Sequence, residues 1–140
     1  MELPVELTEN LIERGSILHS DIFADIDHGK FFVIIGVDKD FIAGFFFINS
    51  NINKAIWNKE DQLAMQYHLK KEDYDFLRYN SFLNATNIIT RSRKELSESI
   101  REGRTSMIGH LKQEHLDDVL DMVRNSKLFN KIEKSRFFYD

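Results

Sequence analysis

Two apolar runs separated by a short charged segment limit what this chain can fold into. The first, Phe31 to Ile35, reads Phe-Phe-Val-Ile-Ile, and the second occupies most of Phe41 to Ser50. Runs of this length, rich in aromatic and β-branched residues, read as buried strands. The Val37-Asp38-Lys39-Asp40 segment between them reads as a tight hairpin turn. Gly44 inside the second run suggests a bulge or a bend. Six of the 12 Phe of the 140-residue chain fall in these two runs, where their simplest use is core. The chain is long enough for one domain with a real core, not comfortably for two.

The surrounding residues extend the pattern. Thr8 can cap one short helical turn that Gly15 stops, and residues 16–23 alternate as a half-buried first strand. The Asn-rich stretch after Ser50 reads as a loop. Met65–Leu69 reads as a short strand, and Lys70–Leu77 as a charged turn or short helix. Ser81–Ile89 reads as a fifth strand. Ser92 and Glu95 then have capping-box spacing ahead of a helix that Gly103 can end. Thr105–Leu111 gives a sixth short strand. Leu111, His115, Leu116, Val119, Leu120 and Val123 follow the spacing of an amphipathic helix over about 112–126. The tail from Phe129 is basic and aromatic, and its Phe137, Phe138 and Tyr139 are better placed docked than exposed. The expected fold is mainly β with α: a single domain over 1–140, with a small, partly open β-barrel over about 14–128, a short helix, a C-terminal amphipathic helix and a tail over 129–140.

Composition excludes several function classes. There is no Cys, so no disulfide, thiolate metal site or cysteine nucleophile. No apolar run reaches membrane-spanning length, and the first residues lack the basic and apolar regions of a signal peptide, so a cytoplasmic protein with no membrane contact is expected. Net charge is −4, unevenly spread: residues 1–90 carry 8 Lys+Arg against 14 Asp+Glu, and residues 91–140 carry 11 against 9. A basic nucleic-acid-binding face therefore has more room in the last third. His110 and His115 stand five apart, which does not place both on one helical face, and no spacing suggests a metal or cofactor. His19 and His68 fall in strands and read as hydrogen-bonded structural residues.

This order of elements, with Gly15-Ser16-Ile17 opening the first strand, "HGKFFVIIG" the second, "FFFINS" the third and "SFLNATNII", "SRKELSESI" and "MIGHLKQEHLDDVLDMV" closing the chain, resembles the MazF/PemK family of bacterial toxins. That family includes Kid, and its SH3-like barrel is shared with the gyrase poison CcdB. The resemblance implies a cytoplasmic homodimer that cuts single-stranded RNA without a metal or cofactor and is silenced by a cognate antitoxin. It places Lys30 where the family has a loop Arg, to carry the charge of a phosphate. His28 stands near a loop His that some members use in acid–base work. Ser50, or its neighbour Asn49, stands where the family has a hydroxyl that can bond a phosphate oxygen. Several members carry an Asp-Gln pair on the fifth strand, some with a preceding Arg. The Asp and that Arg serve as base and acid, but this chain has Asn84, Thr86 and Asn87 there, none of them charged. With Asn49, Asn84 and Thr86, the cations Arg91 and Arg93 are the candidate RNA contacts. The alternatives are a non-catalytic relative that binds a protein or peptide, and a CcdB-like poison of a protein target.

Overall fold

A computed structural model of the chain describes residues 8–23 and 29–140. The apolar hairpin is the centre of a seven-stranded antiparallel sheet. Its strands are β1 (Ser16–Ser20), β2 (Lys30–Val37), β3 (Ile42–Asn49), β4 (Gln66–Leu69), β5 (Ser81–Asn84), β6 (Ile89–Ser92) and β7 (Thr105–His110). Four α-helices accompany them among the described residues: α1 (Glu60–Leu63), α2 (Arg93–Arg101), α3 (Gln113–Arg124) and α4 (Lys131–Phe137). The strand order is β4-β5-β3-β2-β1-β7, with β6 also on β3, and the sheet does not close on itself. No helix among the described residues is long and apolar enough to cross a membrane.

Alternate side chains of the hairpin feed two apolar layers, because successive residues of a strand point to opposite faces. Val33, Ile35, Phe46 and Ile48 join α3 and the Phe129, Phe137 and Phe138 side chains on one face. Phe32, Ile34 and Phe45 join Ile12, Leu18 and Leu96 on the other. Burying each such aromatic or branched side chain contributes about 1.5–3 kcal/mol. Two-sided burial is why the runs are continuous and do not alternate.

The expected fifth strand divides into two. The Asn84 side-chain oxygen accepts the Thr86 hydroxyl at 2.7 Å and the Thr86 N–H at 3.4 Å. An Asx-type turn of this kind interrupts the ladder. As a result β5 pairs with the last residues of β3 (Ile48↔Leu83, Asn49↔Phe82), whereas β6 pairs with its first (Ile42↔Ser92 to Phe45↔Ile89). The stretch after Ser50 also holds more structure than a loop, with a 3₁₀ turn at Lys54–Ile56 and α1.

The tail is helical and docked. Asn130 and Glu133 form a reciprocal capping box that opens α4, and Phe137 and Phe138 are buried. The docking requires Gly36, where a Cβ would lie 2.2 Å from the Phe137 carbonyl oxygen. The β2–β3 register shifts between Ile34 and Gly36, with Gly44 opposite Gly36, so the bulge sits where the helix presses on the hairpin. Arg14 ties the same region, donating from Nε to the Ile35 carbonyl at 2.7 Å and from Nη2 to the Phe137 carbonyl at 3.0 Å.

Candidate functional site

A groove of about 940 Å³ opens at the end of the hairpin away from its turn. Three pieces of chain build it: the start of β2 with Gly29 and Lys30, the end of β3 with the Asn49–Asn53 segment, and the β4–β5 connection around Phe76–Tyr79. The antiparallel ladder explains the gathering. Phe31 pairs with Ile48 in the β2–β3 register, so the first residue of β2 and the last of β3 are neighbours. Ser20 pairs with Lys30 in the β1–β2 register, which brings the end of β1 to the same rim.

Lys30, Asn49, Ser50 and Asn84 all line this groove. The Lys30 ammonium donates to the Asn49 side-chain oxygen and sits 5.4 Å from the centre of the Phe47 ring. Partial burial pulls its pKa below the ordinary lysine value, because a less solvated ammonium is costlier. Ser50 is exposed, and its Oγ accepts the Asn51 amide at 3.5 Å. Asn84 is occupied, since its side-chain oxygen also accepts the Gln66 amide at 2.8 Å.

The other sequence candidates lie elsewhere. Thr86 is taken up by the turn, donating to Asn84 and bonding Asn87 at 3.2 Å. Arg91 pairs with Ala43 near the start of β3. Its guanidinium lies 5.4 Å from the Phe23 ring centre. Arg93 stacks over Phe41 at 4.5 Å and approaches Glu9 at 3.7 Å. Both belong to the turn end of an eight-residue strand about 25 Å long, so the structure does not bring them to the groove. The split of the fifth strand is the reason. His28 lies outside the described residues.

The chemistry-bearing groove residues that the sequence did not reveal include His19, Arg78 and Tyr79. His19 was expected to be a bonded structural residue. Its ring instead packs on Phe31, with centroids 4.5 Å apart, and neither ring nitrogen has a hydrogen-bond partner among the described residues. Arg78 and Tyr79 follow a charged turn, and only the interleaving of Phe76, Arg78 and Tyr79 hinted at a binding surface. Tyr79 is 67% exposed, although it is one of the larger aromatics.

The lining has a consistent chemistry. Among the described residues it carries two cations, Lys30 and Arg78, and no carboxylate. Amide side chains and the Ser50 and Ser81 hydroxyls supply uncharged hydrogen-bonding groups, and Phe31, Phe76 and Tyr79 supply flat apolar faces. Such a surface suits a ligand with both anionic and planar parts. No group of three or more His, Cys, Asp or Glu among the described residues could hold a metal ion. Compared with known proteins, the chain matches no family model and no curated sequence.

Proposed function

We propose that this chain is a MazF/PemK-like toxin whose groove binds and cuts single-stranded RNA. The observation that carries the reading is the groove lining: two cations, no described carboxylate, and three aromatic rings, of which Tyr79 is exposed and Phe31 and Phe76 are half-buried, in an otherwise acidic protein. Phosphates are drawn to the cations, and unpaired bases stack on aromatic rings. The strand order supports reading the sheet as a partly open SH3-like barrel, because β3 is shared between β7-β1-β2-β3-β6 and β3-β5-β4.

In this reading the ribose 2′-oxygen attacks the adjacent phosphorus without a metal. Lys30 stabilises the charge that builds on the phosphorane oxygens, and the Ser50 hydroxyl donates to one of them. Lys30 supplies charge without the bidentate fork of an arginine. The family resemblance offers His28 as a candidate acid or base, one that lies outside the described residues. The same resemblance brings a cytoplasmic homodimer and a cognate antitoxin that covers the groove.

One observation favours a second reading. Asn84 and Thr86, at the family's acid–base positions, bond to one another and not to an open site. A non-catalytic relative would keep the groove for a protein or peptide, and a CcdB-like poison would act on a protein target. Purified protein incubated with mixed-sequence single-stranded RNA, without added metal, separates these readings. The ribonuclease reading expects discrete cuts ending in 2′,3′-cyclic phosphate. Intact RNA at high protein concentration, with no growth defect on expression, would overturn it.

A further inference from the structure

We propose that His19 is the proton acceptor of this groove and takes the 2′-hydroxyl proton of the bound ribonucleotide. The inference rests on the ribonuclease reading of the same groove. Attack by a 2′-oxygen needs a group that accepts a proton near neutral pH, the range in which imidazole exchanges protons. The described lining contains no carboxylate, and its other ionisable side chains, Lys30, Arg78 and Tyr79, are cations and a phenol. His19 is the one imidazole among them.

The remaining described histidines are differently placed. The Lys112 N–H donates to the Tyr74 hydroxyl at 2.9 Å, and that hydroxyl meets His115 Nδ1 at 2.6 Å. The His110 ring nitrogens lie 2.9 Å from the Leu111 carbonyl and 3.0 Å from the Arg14 carbonyl. His68 stacks on Phe82, outside the groove lining. His19 alone combines ring nitrogens that have no described partner with a place in the groove.

Its ring is also held in position. Phe31 covers one side. Gly29 approaches so closely that a Cβ there would lie 2.2 Å from the His19 Cε1 atom. The same Cβ would lie 2.5 Å from Nε2 and 3.1 Å from Nδ1, so Gly29 packs on the Nε2 side and Nδ1 is the more open nitrogen. A ring fixed by packing, with no described hydrogen-bond partner on either nitrogen, is pre-organised for proton transfer. The charges around it among the described residues are few. Lys30 follows Gly29 on the adjoining chain, Arg78 and Tyr79 share the groove, and β7 places Ser106 opposite His19.

The step balances with water as the only co-reactant. The O2′–P bond forms and the P–O5′ bond breaks, leaving a 2′,3′-cyclic phosphate. The 2′ proton passes to the imidazole. The departing 5′-oxygen takes a proton from water, and the imidazolium returns its own to the resulting hydroxide.

The test is the rate of cleavage of mixed-sequence single-stranded RNA between pH 5 and 8 by the full chain and three variants. Removing a general base is expected to slow cleavage about 10²- to 10⁴-fold, so His19→Gln should fall by that much and bind RNA within about threefold of the parent. Its pH–rate profile should also differ from that of the parent chain. Added imidazole should restore part of the activity of His19→Ala, an effect that a merely structural side chain would not give. Gly29→Ala, which displaces the ring, should slow cleavage with the histidine still present. If the parent chain cleaves and His19→Gln cleaves equally with the same pH dependence, the assignment of His19 is wrong and the ribonuclease reading stands. If the parent chain cleaves no RNA, the reading itself is wrong, and the assignment falls with it.

Discussion

At the turn end of the β2–β3 hairpin, the Asp38 carboxylate is closed in, with its side chain only 4% exposed. It accepts the Ile42 N–H at 2.8 Å, the Asp40 N–H at 2.9 Å and the Arg136 Nε at 2.6 Å. Burial alone would raise its pKa, but these bonds outweigh it and leave the carboxyl below its ordinary value. Nearby, Phe41 holds a left-handed backbone (φ 60°), and the Arg93 N–H donates to its carbonyl at 2.7 Å. At the other end, the hydrogen-bond partner of Lys30 among the described residues is the neutral Asn49 amide, Ser50 is exposed, and His19 has no described hydrogen-bond partner. Both ends carry charge and polarity. One end commits its polar groups to the fold, and the other leaves them to face a groove.

Four expected outcomes would sharpen or break this contrast. The largest is at the turn. Asp38→Ala strands two backbone donors and Arg136, and should cost about 3 kcal/mol in urea unfolding, with no loss of RNA affinity by the folded protein. A cost below about 1 kcal/mol would contradict a structural role for this end. Next, Lys30→Ala should weaken RNA binding about tenfold, roughly 1.4 kcal/mol, and change stability by less. If it unfolds the protein while binding persists, the two ends are not different. The third concerns acid. A carboxyl with a lowered folded pKa stabilises above its unfolded value, about 3.9, and that stability is lost as pH falls through the folded value. The advantage of the parent chain over Asp38→Asn should therefore be full at pH 6 and shrink below about pH 4, as followed by thermal melts. The smallest is Arg91→Ala, which removes one cation–ring interaction. It should cost about 0.5–1 kcal/mol in the same melts and leave RNA affinity within twofold. A large drop in affinity would move the interface to the other end of β3.

The hairpin was legible in the sequence because a strand buried on both faces has no choice but to be apolar throughout. The ends of α2 were legible for a similar reason: Ser92 accepts the Glu95 N–H at 3.0 Å, and Gly103 takes φ +79°. The split between β5 and β6 was not, because Ser81–Ile89 has ordinary strand composition and the interruption depends on one asparagine bonding two residues ahead. That error carried Arg91 and Arg93 into the candidate set. Lys30, Asn49, Ser50 and Asn84 came from the family resemblance, and they share a groove because each stands at or beside a strand end and neighbouring strand ends meet. His19 was passed over because alternation in β1 says only that it is half-buried. Its place in the groove depends on the β1–β2 register, which no local pattern states. The α4 cap is written as Asn130 and Glu133, but a helix of seven residues is too short to show a periodic apolar face beside it.

The most direct test of the central claim, that the end away from the turn is a single-stranded RNA site, is the salt dependence of binding. Labelled single-stranded RNA is titrated with the parent chain, Lys30→Ala, Arg78→Ala and Arg91→Ala across a range of salt concentrations. Removing a cation that neutralises one phosphate should flatten the slope of log K against log salt by about 0.7. The slope should flatten by that amount for Lys30→Ala and for Arg78→Ala and stay unchanged for Arg91→Ala. No RNA binding by the parent chain, or a slope that responds only to Arg91→Ala, would contradict the account.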